Sequence, residues 1–128
     1  MAYDDLFDEI NNCFGVAPFG VMRHTVAAEA GPSVIRAVGA IEVSVTIYDV
    51  VMICTAATGA ETMTVQTAIG GAGAANLTSV IAQNNANDVG RTATIVAAQA
   101  VVGPADAVQV VHSAATVGGL VHLLFFLT

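Results

Sequence analysis

Side chains able to do chemistry are few in this 128-residue chain and poorly spaced for it. Ser33, Ser44, Ser79 and Ser113 are nucleophiles by type, yet none lies in the G-x-S-x-G turn that exposes a hydroxyl beside a base. Cys54 closes the apolar run at 50–54, surroundings that suppress a thiolate, and Cys13 has no cation near it in sequence. Both are expected to be buried thiols, with a disulfide between them as the alternative, and their spacing fits no metal site. His112 and His122 are expected on adjacent antiparallel strands, where the two rings would approach each other. A pair of imidazoles with Asp106 as the nearest acid in sequence still lacks the third ligand of a firm metal site. These histidines, and His24 beside Arg23, read as core or subunit-boundary residues.

Acid–base chemistry needs carboxylates gathered in a cleft. The only cluster is Asp4, Asp5, Asp8 and Glu9, at one end of the chain. It reads as a solvated face or as a group seeking a basic patch on a partner. The glycine-rich stretch at 69–75 (IGGAGAA) holds no complete G-x-G-x-x-G and no phosphate-loop lysine, so it is expected to be a mobile or tightly turned loop. Asn76-Leu77-Thr78 matches a glycosylation acceptor, but the acidic opening residues do not resemble a secretory leader. The expectation is a non-enzyme without cofactor or metal.

Composition points to assembly. Hydrophobic residues make up 55% and charged residues 10%, with no lysine and three arginines (Arg23, Arg36, Arg91). A free-standing domain usually carries about a quarter charged residues. A small domain has much surface for its volume, so such thin polar cover implies that another molecule hides part of it. The net charge of −7 and the absence of clustered cations exclude nucleic acid as a partner and disfavour anionic membranes. The most apolar stretch, 108–127, is interrupted by His112, Ser113, Thr116, two glycines and His122, so no membrane span is expected.

The elements that must position these residues read as strands. Residues 3–14 form the exception. Leu6, Ile10, Cys13 and Phe14 recur at helical spacing behind acids that suit a helix N-terminus. Gly15, Pro18 and Gly20 then interrupt regular structure. Residues 1–20 are accordingly an N-terminal helical or extended arm, packed on its own domain or ordered by a neighbour, with Leu6, Phe7, Ile10 and Phe14 as its candidate partner-binding residues. Residues 21–128 form the domain. A strand is expected at 21–28. Ile41, Val43, Val45 and Ile47 alternate with polar residues in the period of a half-buried strand, which then turns apolar on both faces. With Met63, Val65 and Thr67 this segment suggests a hairpin. Residues 76–83 suit a short helix or an irregular strand. Strand character resumes at 92–102 and at Val108, Val110 and His112, and 120–127 reads as a closing strand buried on both faces. Short strands with turns between them predict an all-β sandwich or jelly roll.

The run YDVVMICTAATGAETMTVQTAI, then NLTSVIAQ, RTATIVAAQAV, GPADAVQVVHSA and GGLVHLLFFL, resembles the small virion structural proteins of tailed bacteriophages. The likeness is to head decoration (cement) proteins above all, which have compact β-sandwich or jelly-roll folds. Their turn-strand element is departed from at Gly103-Pro104-Ala105-Asp106-Ala107-Val108 by an inserted Pro and Ala. The resemblance covers about two-thirds of the chain and carries over no site residue. It implies a homotrimer on the capsid surface of a virion that clamps the major capsid protein and stabilises the shell. The alternative is a receptor- or carbohydrate-binding β module of a phage fibre or tail.

Overall fold

The computed structural model describes residues 19–27, 32–56, 61–83, 89–91, 94–113 and 118–128. Among them the strands, in chain order, are β1 (Phe19–Val26), β2 (Ser33–Arg36), β3 (Val45–Ala56), β4 (Glu61–Ala68), β5 (Ala75–Asn76), β6 (Ile81–Gln83), β7 (Val89–Arg91), β8 (Val101–Val102), β9 (Ala107–His112) and β10 (Gly118–Leu127). A single helical turn, α1 (Ala97–Ala100), precedes β8.

Two antiparallel sheets result. The first runs β1-β10-β3-β7, with β8 also on β3; the second runs β2-β9-β4-β5, with β6 also on β4. The pairings are nested: β1 with β10, β2 with β9, β3 with β7 and β8, β4 with β5 and β6. A chain paired this way is one long hairpin wound over itself, so that its halves lie in two facing sheets. That is the jelly-roll arrangement. The hairpin tip is Ile69-Gly70-Gly71-Ala72, where Ala72 N–H donates to Ile69 C=O at 3.0 Å. Gly70 and Gly71 have φ of 59° and 79°, the two left-handed positions of a type I′ turn that side chains disfavour.

The core lies between the sheets and follows from strict alternation. Met22 and Val26 of β1, Met52 and Cys54 of β3, Met63 and Val65 of β4, Val108 and Val110 of β9, and Val121, Leu123 and Phe125 of β10 are all at most 2% exposed. Each large side chain so enclosed contributes about 1.5–3 kcal/mol.

The expected all-β sandwich is thus the observed class, with local differences. β1 begins at Phe19, so Phe19 and Gly20 belong to the strand rather than to the arm. Of the alternating residues before β3, Ile41 is in the core but Val43 is 44% exposed, and the strand starts at Val45. β3 and β4 are not a hairpin: they pair with different strands in different sheets, because each needs its apolar side turned to the common core. Residues 76–83 are an irregular strand, not a helix. Segment 94–102 is mostly not strand: Ile95 makes one isolated bridge to Thr78, α1 follows, and only β8 is extended. Its alanines favour a helical turn once the edge has no further partner to pair with.

Candidate interaction face

Inward residues on the first sheet's strands alternate with a second set that points away from the core. Cross-strand register arranges these outer residues in rows: Phe19 beside Phe126, Val21 beside Leu124 and Asp49, Arg23 beside His122 and Val51, Thr25 beside Leu120, Ile53 and Val89. Among the described residues this outer face is therefore largely apolar. Val21, Val51, Ile53, Leu120, Leu124 and Phe126 are half-buried, while Phe19 is 60% and Val89 68% exposed. A groove crosses it, lined by Phe19, Gly20, Val21, Arg23, Val51, His122 and Leu124.

A one-residue bulge shapes one end of the face. Phe125 is opposite Ile47 and Leu124 is opposite Asp49, so Tyr48 is the extra residue of β3. The bulge shifts the inward set from Val45 and Ile47 to Val50, Met52 and Cys54, and turns Tyr48 and Asp49 outward together. Asp49 Oδ1 accepts the Val50 N–H at 2.9 Å, supplying a partner where the ladder is interrupted. The Tyr48 ring stacks on Phe126, centroids 5.8 Å apart, and meets Phe19 edge-on at 6.3 Å. These are the favoured geometries of aromatic pairs.

The second sheet turns a different surface outward. Thr62, Thr64 and Gln66 of β4 alternate with its core residues. Gln109 Nε2 donates to Gln66 Oε1 at 2.9 Å, and Gln66 Nε2 donates to Asn76 Oδ1 at 2.9 Å. This amide ladder across β9, β4 and β5 is chemistry suited to water. Val34 and Val111 share this outer side, so the sandwich has one mixed side rich in amides and hydroxyls and one greasier side.

The energetic consequence can be sized. Full burial of a large apolar side chain is worth about 1.5–3 kcal/mol, so a half-buried one has about 1 kcal/mol left to gain. Eight apolar side chains on the greasy side, from Phe19 to Phe126, together with the Tyr48 ring, leave on the order of 10 kcal/mol unrealised. Association costs about 4–15 kcal/mol in lost freedom. The face alone can nearly offset that cost, and a few added contacts would make binding firm.

The residues singled out for chemistry fall elsewhere. Leu6, Phe7, Ile10 and Phe14 lie outside the described residues, as do Cys13 and the acidic cluster. His112 and His122 do not converge: His112 follows Val108 and Val110 on the inward side of β9, while His122 points outward from β10 in the other sheet. The expectation of adjacent strands failed because β9 lies in the second sheet and β10 in the first. Among the described residues no group of three His, Cys, Asp or Glu is placed to hold a metal, and no helix is long and apolar enough to cross a membrane. Cys54 is fully buried in the core.

His24, inward at the sandwich edge, sets its Nε2 2.7 Å from Ser33 Oγ and so links β1 to β2 across the two sheets. Burial, then the charge of Arg36, lowers its pKa below the ordinary 6.5. Asp106 is structural: its carboxylate accepts Gly70 N–H and Gly103 N–H, each at 2.7 Å, and pins the hairpin tip to the turn before β9. Thr78 Oγ1 accepts Val65 N–H at 3.1 Å, so the hydroxyl of the glycosylation-like triplet is buried and engaged. The face was half legible in the sequence: the outward positions of β10 (Leu120, Leu124, Phe126) are apolar where a wetted strand would be polar, but the strands that join them on it were not. No family model, curated protein or solved structure matches this chain.

Proposed function

We propose that this protein is a structural subunit of a virion, a capsid decoration or cement protein that acts as a homotrimer and stabilises the shell by holding neighbouring major capsid subunits. The observation that carries this reading is the unequal pair of outer faces: a threonine–glutamine side fit for solvent and an aromatic–aliphatic side that leaves apolar surface uncovered. The charge-poor composition agrees, since binding by apolar burial and by main-chain pairing at strand edges needs few ionic groups. Jelly rolls serve many purposes, so the fold alone argues little and the face argues more.

The test is direct. Purified protein is mixed with shells assembled from the major capsid protein alone, and occupancy is read by sedimentation and imaging. Saturable attachment, with a solution mass three times the 12.9 kDa of the chain, is the expected result. A monomer that neither self-associates nor attaches would refute the reading.

Tyr48, flanked by Phe19 and Phe126 beside a groove, supports a second reading, a carbohydrate- or receptor-binding module of a fibre or tail. Exposed aromatic rings stack on sugar faces. A glycan array separates the two: selective, Tyr48-dependent binding favours this alternative.

A further inference from the structure

Resting on the assembly reading, we infer that the groove on the outer face of the first sheet receives residues 3–14 of a neighbouring copy of this chain. Three observations point to that occupant. The first is shape and polarity. The groove is apolar at Phe19, Val21, Val51 and Leu124 and cationic at one place, where Arg23 projects beside His122. Residues 3–14 are the matching counterpart, with Leu6, Ile10 and Phe14 on one side at helical spacing and Asp4, Asp5, Asp8 and Glu9 gathered at the opposite end from Phe14.

The second is length. Twelve residues of helix span about 18 Å. The five residues from Phe19 to Arg23 span about 13 Å of extended strand. A helix with Phe14 near the Phe19 end therefore lays its apolar stripe along the groove and brings Asp4, on the flank of that stripe, level with Arg23. Four acids without a basic neighbour before Arg23 carry much of the net charge of −7, so this pairing also neutralises the most unbalanced part of the sequence.

The third concerns which copy supplies the segment. Only residues 15–18 separate it from β1, and Pro18 biases residue 17 toward extended backbone. That bias works against a tight reversal onto the same copy's face and favours delivery of the segment to a neighbour's. If each copy gives one segment and receives one, the exchange closes into a ring without a free end, as a trimer requires.

The test uses the full chain with Phe7 replaced by photoreactive benzoylphenylalanine. Nitrogen-15 and unlabelled chains are unfolded together, refolded and irradiated, and linked peptides are mapped by mass spectrometry. Links from position 7 to peptides holding residues 19–23, 51 or 122–124, with mixed isotopes in the statistical proportion, are expected. Links within single chains only, or to other parts of the sandwich, would overturn the inference. In parallel, Arg23→Glu should weaken self-association at least tenfold by light scattering at dilution, with Arg23→Lys close to the parent. Unchanged association in Arg23→Glu counts against it. A trimer without these cross-links sinks this inference and leaves the assembly reading standing, whereas a full-length monomer that ignores shells sinks the assembly reading itself.

Discussion

Tyr48 lies against Phe126 with ring centroids 5.8 Å apart and planes inclined by 30°, held there by the single-residue bulge that separates the two register segments of β3 and β10. The bulge decouples the ring from the core. Ile47 and Val50 on either side remain fully buried while Tyr48 is 42% exposed. Tyr48→Ser should therefore fold normally and lose only the aromatic pairing, about 0.5–1.5 kcal/mol, with a small shift in the urea midpoint. Its larger effect should fall on attachment to shells or self-association, read by sedimentation. A variant that binds as well as the parent would remove the aromatic cluster from the interface.

Two glycines make a matched pair for stability. A Cβ at Gly119 would stand 2.6 Å from the carbonyl oxygen of Ile53, where β10 crosses β3 beside a register shift. The obstacle is backbone in the middle of a sheet, so one strand has to move. Gly119→Ala should cost about 1–3 kcal/mol. Gly73, by contrast, has nothing within 4 Å of the same added atom and no left-handed φ. Gly73→Ala should be neutral or stabilise by about 0.4–1 kcal/mol through the unfolded chain. Chemical denaturation of both variants checks the contrast.

Asp106 supplies both oxygens to main-chain amides of segments far apart in sequence, Gly70 and Gly103. Asp106→Asn offers only one acceptor oxygen and places an amide NH₂ against an N–H donor. A loss of about 1.5–3 kcal/mol is expected, the range for a hydrogen bond to a charged group. The Gly70 and Gly103 amides should exchange with solvent faster in the variant, a local signature that a general loss of stability would spread over the whole sandwich.

His24 gives a pH dependence of definite sign. Burial, and secondarily Arg36, holds the folded pKa below 6.5, so near and below that pH the unfolded chain takes up a proton the folded chain resists. Above it His24 contributes nothing to the pH slope; stability falls as acid is added. His24→Gln can still reach Ser33 but cannot titrate. The denaturation midpoints of parent and variant, compared between about pH 7.5 and about pH 5, should diverge on the acid side, with the parent losing more. Equal slopes would mean that the His24 environment does not disfavour the charged ring.

How far these features were legible in the residues depends on their range. Alternation at Met63, Val65, Val108 and Val110 identified inward positions correctly, because period two is a local property of a strand. The sheet to which each strand belongs is not local. Residues 45–56 and 61–68 look like neighbours in a hairpin, yet β3 takes β10 as its main partner and β4 takes β9, pairings set by the winding of the whole chain. The same blindness placed His112 beside His122. The outer face was half visible: 120–127 is apolar on both sides, which predicted a strand covered on both sides. The described residues cover only the inner one, and that mismatch is the reason to expect a partner. Asp106 in Gly-Pro-Ala-Asp was recognisable as part of a turn, but its bond to Gly70 depends on tertiary contact and had no local signal.

A charge placed on each outer face in turn tests the division between them. Leu124 and Thr64 are both outward, half-buried strand positions, one in the greasy sheet and one in the threonine–glutamine sheet. Aspartate at either site leaves the core intact, so both variants should fold. Leu124→Asp puts a carboxylate in the groove between Val21 and Asp49, doubling the negative charge there, and any partner closing over the pair would have to desolvate it at a cost of several kcal/mol. Thr64→Asp places the same charge where water already wets the surface, and surface substitutions of that kind stay within about 0.5 kcal/mol. Shell attachment and self-association should therefore fall by a hundredfold or more (about 2.7 kcal/mol) for Leu124→Asp and stay near the parent value for Thr64→Asp. If Thr64→Asp proves the damaging change, the polar side is the one that docks and the greasy side must be covered in some other way.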